Sequence, residues 1–124
     1  MIGYLEKNRK FAIIFAILMA TEIFIISSIP GSKFITGGID VSLIYHLMIF
    51  FLLNFFFILS IIGKRNVKVR YILLSIIFSV FYAVLDEIHQ FFVPLRLPSV
   101  ADVLIDTTGI FLSTIIYLYH KRNR

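Results

Sequence analysis

Asp86, Glu87, His89 and Gln90 crowd into one five-residue run, and Arg96, Ser99, Asp102 and Asp106 follow shortly after it. These residue types can do chemistry together. A histidine beside a carboxylate can move a proton. An arginine fork can grip a phosphate or a carboxylate with two parallel bonds. Carboxylates with imidazole also suit a divalent cation, and Asp102, Asp106 and a histidine would be its donors. Residues 86–106 hold four of the chain's seven acids and one of its three histidines, between stretches oily enough to cross a bilayer. An ionisable group at the centre of a membrane helix costs roughly 2.5–3.5 kcal/mol on insertion scales, and such groups usually mark a functional site.

The elements that position them follow from composition. The chain has 124 residues, of which 60% are hydrophobic and only 15% charged. A soluble domain averages about 25% charged residues, so this chain belongs to the membrane class. Cysteine is absent, which removes disulfides, thiol nucleophiles and thiolate metal sites. A net charge of +5 could suggest nucleic acid, but the basic residues sit in short clusters beside apolar runs and read as topology signals instead. Anionic lipid contact is a secondary effect of the same clusters.

Four apolar runs, about residues 11–29, 41–62, 71–92 and 101–119, each approach the ~20 residues of a spanning helix. Pro30, Pro94 and Pro98 and a basic turn at 63–70 separate them, because proline lacks an N–H and disfavours helix before it. The expectation is an all-α polytopic membrane protein, one domain over residues 1–124 with four transmembrane helices in a bundle. The first run reads as a retained helix, being longer than a signal-peptide core and lacking a small-residue cleavage site. Lys7, Arg9, Lys10, Lys64, Arg65, Lys68, Arg70, Lys121, Arg122 and Arg124 fall on one side, and only Lys33 and Arg96 on the other. The positive-inside rule then places both termini in the cytoplasm and the polar loops outside, in a multi-pass cell-membrane protein.

In that topology His46, the 86–90 run and the start of the fourth span reach one depth. At ~100° per residue, Asp102, Asp106, Gly109 and Ser113 share an arc of roughly 60°. Tyr82, Asp86 and His89 share a face of the third span, while Glu87 and Gln90 share its neighbour. Ser42 and His46 pair one turn apart on the second. Gly109 and Ser113 form a small-residue surface that lets a helix approach closely. Glu22, roughly 12 Å below the outer end of the first span, is expected to be protonated or paired. Asn54, in mid-span, is expected to bond between helices.

The run Asp86-Glu87-Ile88-His89-Gln90, with Phe92-Val93-Pro94, Arg96, Ser99, Asp102 and Gly109, resembles the VanZ-like family. Its members carry a D-E-x-H-Q segment, an F-x-P-x-R loop and a D-x-x-x-N-x-x-G helix start. His46 matches the family's earlier histidine, and the resemblance spans about residues 27–113. Two departures stand out: Ser42 and Leu43 replace an Asp-Lys pair, and Asp106 replaces the usual Asn. The first removes a charge pair from the outer mouth, and the second adds a carboxyl to the cluster. Some members of the family confer resistance to the glycopeptide teicoplanin, which implies a cell-envelope setting.

One expected function is a membrane-embedded hydrolase or transferase on a lipid-linked substrate. Its catalytic groups would be Asp86, Glu87, His89 and His46, and its ligand contacts Gln90, Arg96, Ser99, Asp102 and Asp106, with a divalent cation as the candidate cofactor. The alternative is a non-catalytic protein that binds a lipid headgroup or a glycopeptide. A small transporter fits less well, since the inner halves of the spans offer little beyond Asn54 and Ser113. Either main reading makes a membrane lipid or lipid-linked envelope precursor the partner and excludes nucleic acid. A purely structural network is the competing explanation. Hydrogen bonds between membrane helices average only ~0.6 kcal/mol, a small return for burying so many ionisable groups.

Overall fold

Backbone amides and carbonyls have no water to bond inside hydrocarbon, so an apolar run bounded by breakers closes on itself as helix. The computed structural model describes residues 1–31, 35–36 and 39–124. A short helix α1 (Ile2–Lys7) leads at Asn8 into α2 (Arg9–Ser28). Two-residue strands β1 (Ile35–Thr36) and β2 (Ile39–Asp40) then pair antiparallel, Thr36 opposite Ile39. Helices α3 (Val41–Ile62), α4 (Val69–Phe91) and α5 (Val100–Arg122) complete the bundle. α2, α3, α4 and α5 are each long and apolar enough to cross a membrane, and their bounds lie within three residues of those expected. α1 and the strand pair are additions. Lys33, counted above for orientation, lies outside the described residues.

α3 is the central helix, in contact with α1, α2, α4 and α5. Phe50, Ile58, Leu59 and Ile62 on it are fully buried, whereas Leu18 and Ile25 of α2, Ile77 and Phe81 of α4 and Ile115 of α5 are exposed. An exposed apolar belt on every outer helix suits lipid tails and makes this a multi-pass membrane protein.

Small and polar residues form the seam between α3 and α5. The Gly109 backbone lies directly against Leu47 and Phe51 of α3. One turn on, Asn54 Nδ2 donates to the Ile110 carbonyl at 3.0 Å and to Ser113 Oγ at 2.7 Å, and Asn54 Oδ1 accepts from Ser79 Oγ of α4 at 3.0 Å. Asn54 therefore ties three helices together at mid-span, as its position predicts.

Both termini and the 63–70 turn meet at the basic end. There Arg9 Nε donates to the Ser60 carbonyl at 2.7 Å and Nη2 to that of Ile61 at 3.2 Å, satisfying orphan carbonyls of the last turn of α3. Gly63 follows with φ +54°, packed against the Arg9 stem, where a Cβ would collide. Glu6 is buried and accepts from Lys121 Nζ at 2.8 Å and Arg124 Nη1 at 2.6 Å. Burial alone would raise the Glu6 carboxyl; bonds and charge from Lys121 and Arg124 overcome it, so its pKa lies below the ordinary value. A carboxyl lowered by folding contributes stability above its unfolded pKa and loses it as pH falls through the folded one. The wild type is expected to lose about 1 kcal/mol of stability between about pH 5 and about pH 3 that Glu6→Gln does not lose. Detergent-phase thermal unfolding across that range checks it, and parallel curves would exclude this anchor.

Candidate functional site

The opposite end of the bundle gathers the polar residues, and each helix face delivers its set to a different neighbour. Tyr82, Asp86 and His89 share a face of α4, and that face meets α2. Tyr82 Oη donates to the Ala20 carbonyl at 2.6 Å. Asp86, buried, accepts from Ser27 Oγ at 2.5 Å and from Gln90 Nε2 at 2.9 Å. His89 Nε2 lies 2.9 Å from Ser28 Oγ, and its ring stacks on Phe24 at 4.8 Å. Ser28 Oγ already donates to the Phe24 carbonyl, so it accepts the imidazole N–H.

The Asp102–Ser113 face of α5 turns to α3. Asp106 is 0% exposed, and its Oδ1 lies 2.9 Å from Nδ1 of His46, itself 5% exposed. Phe50 stacks nearly parallel to the His46 ring, 6.5 Å away. With Nδ1–H given to the aspartate, Nε2 of a neutral His46 is left with its lone pair free. Asp102 is buried at the third position of α5, after the N-cap Ser99, where an acid complements the helix dipole. Its carboxylate makes no hydrogen bond among the described residues.

Glu87 reaches from α4 to α5, and its Oε1 accepts the Ser99 backbone N–H. Ser99 Oγ in turn caps the helix by accepting from Ala101 N at 3.2 Å. Ser99 therefore sits in the site as a cap that Glu87 holds. Among the described residues, three buried oxygens at this end lack a partner: Tyr45 Oη, Glu87 Oε2 and Asp106 Oδ2. A buried polar atom without a partner is costly, roughly 1–3 kcal/mol, and in a pocket it is a place for a ligand.

Three expectations change. Arg96 does not reach a cluster carboxylate: its Nε donates to the Ile29 carbonyl at 3.1 Å and Nη2 to that of Ile26 at 2.7 Å. It closes the end of α2 as Arg9 closes that of α3, because a helix C-terminus offers bare carbonyls to any nearby cation. Leu95, at φ 63°, makes the bend that delivers it, a backbone conformation costing of order 1–3 kcal/mol. Glu22 is neither buried nor paired. It lies on the exposed side of α2 and makes no hydrogen bond among the described residues. No three His, Asp or Glu residues stand close enough to hold a metal ion among the described residues, so the set of Asp102, Asp106 and a histidine is not assembled.

Ser27, Ser28 and Tyr45 enter the site without having been singled out. Their signal was present: two adjacent serines end an apolar run at the depth of residues 86–90, and Tyr45 precedes His46.

The family model described as VanZ/LLP1 matches residues 9–121. Neither a curated protein nor a solved structure matches the chain.

Proposed function

The chain belongs to the VanZ/LLP1 family, and from that premise we propose that its polar end faces outward across the cell membrane and acts on a lipid or lipid-linked component of the envelope. Ten of the twelve Lys and Arg residues belong to the other end, which supports a cytoplasmic location for the termini. The buried His46–Asp106 pair, 2.9 Å apart, carries the proposal. Asp106 fixes the tautomer of His46 and compensates the imidazolium that forms when Nε2 takes a proton from a water or hydroxyl nucleophile. General-base assistance of this kind contributes about 10²–10⁴-fold. The unpartnered oxygens of Tyr45, Glu87 and Asp106 would bind the donor groups of the ligand. Asp86, His89 and Arg96 serve as positioning residues that hold α2 against the polar end of the bundle. In the cell the outcome would be teicoplanin-type protection, as the family resemblance implies.

A non-catalytic reading is favoured by one observation: Asp86, His89 and Arg96 are all committed to α2. One comparison separates the two. Cells expressing the wild type, His46→Ala, His46→Gln or the outer-face variant Ile77→Ala at equal abundance would be scored for envelope-lipid composition and teicoplanin susceptibility. The enzymatic reading expects both histidine variants to lose the lipid change and the protection, with Ile77→Ala unaffected. Protection retained by His46→Gln with no lipid change would leave only binding, and an inert wild type would sink both.

A further inference from the structure

Above the contact of α4 with α5, a groove of about 580 Å³ opens on the outside of the bundle. Val84, Ile88 and Phe91 of α4 wall one side, and Val100 and Val103 of α5 the other. Glu87 is the only charged residue among its described lining residues. The groove lies at the polar end of two helices whose outward faces are exposed and apolar. In a spanning bundle that surface is bathed in lipid tails, so the occupant with the right chemistry is an acyl chain.

Glu87 adds a requirement at the head of that chain. Oε1 is committed to the Ser99 N–H, while Oε2 is buried and has no partner among the described residues. The surrounding charge is negative: Asp86, Asp102 and Asp106 lie at the same end beside the imidazoles of His46 and His89, and Arg96, the one Lys or Arg there among the described residues, is turned to the carbonyls of α2. An occupant that brings a cationic donor satisfies both conditions. We propose that the groove binds one acyl chain of a phospholipid with a primary ammonium headgroup, the ammonium donating to Glu87. The proposal rests on the membrane-spanning reading above and names the lipid class for that site, but it requires no proton transfer at His46.

Phosphatidylethanolamine and phosphatidylcholine with identical oleoyl chains differ only in the methyl groups that remove the ammonium donors. The purified full chain would be delipidated in detergent, given both lipids in equal amount, and read by native mass spectrometry. The wild type is expected to retain phosphatidylethanolamine about tenfold over phosphatidylcholine, the worth of one charge-assisted bond. Glu87→Gln keeps an oxygen for Ser99 and replaces the free one with an NH₂ group, so the preference should collapse to parity. Val103→Trp, which fills the groove, should lower retention of both lipids. Equal retention by the wild type, a preference that survives Glu87→Gln, or retention indifferent to Val103→Trp each overturns the proposal. Lipid preference is read without turnover, so a protein that selects phosphatidylethanolamine yet transforms nothing overturns the enzymatic reading alone.

Discussion

Gly109→Val is expected to lower stability by about 3 kcal/mol, the upper end of the range for overpacking a closed interface. A Cβ at this position would collide with the Leu47 carbonyl oxygen and crowd the Phe51 amide. Both are backbone atoms of α3, so neither can rotate away as a side-chain tip could. The helices must separate, and the separation spreads. Asp106 lies one turn before Gly109 and Ser113 one turn after it, so the His46–Asp106 pair and the Asn54 bonds stretch together. Gly3→Val is the matched control, because the nearest atom its Cβ would meet is a side-chain end, the guanidinium of Arg124, at the ordinary contact distance of 3.4 Å. Equilibrium unfolding in mixed detergent measures both. Equal stability of Gly109→Val and the wild type would mean that α3 and α5 do not touch at this glycine.

Asp106→Asn is expected to cost about 10²–10⁴-fold in turnover with a much smaller loss of stability. Asparagine, the residue the resembling family usually carries here, fills the same space, but it has no charge to compensate an imidazolium and its amide can turn an N–H toward Nδ1 and invert the tautomer of His46. The expected loss is therefore specific to this chain's His46–Asp106 pair. Asp106→Ala should differ in kind. It strips a buried partner from a buried ring, and breaking such a pair by removing one member costs about 3–5 kcal/mol. Asp106→Asn therefore separates chemistry from folding where Asp106→Ala cannot. Lipid-turnover rates and unfolding midpoints, measured on the same preparations, read the two effects independently. Full turnover by Asp106→Asn would remove proton transfer from the proposed role of His46.

The sequence by itself determined the spans and the polar face that the third and the fourth each bury. A bilayer demands about twenty apolar residues per crossing, so four helix bounds were readable to within three residues. The 3.6-residue period then placed Asp102, Asp106, Gly109 and Ser113 on one face, and Tyr82, Asp86 and His89 on another. Both faces are continuous contacts in the bundle. Only the tertiary structure decided which neighbour each face meets. Asp86 and His89 could have paired with His46 or Arg96, yet they bond Ser27 and Ser28, because α2 and not α5 lies against that side of α4. Arg96 followed bare helix carbonyls rather than the acids nearby in sequence. Glu22 stayed outside because it lies on the exposed side of α2, while Ile23 and Ser27 take the buried side. Periodicity is a local property of one helix, whereas the lateral order of four is set by the packing of all of them at once.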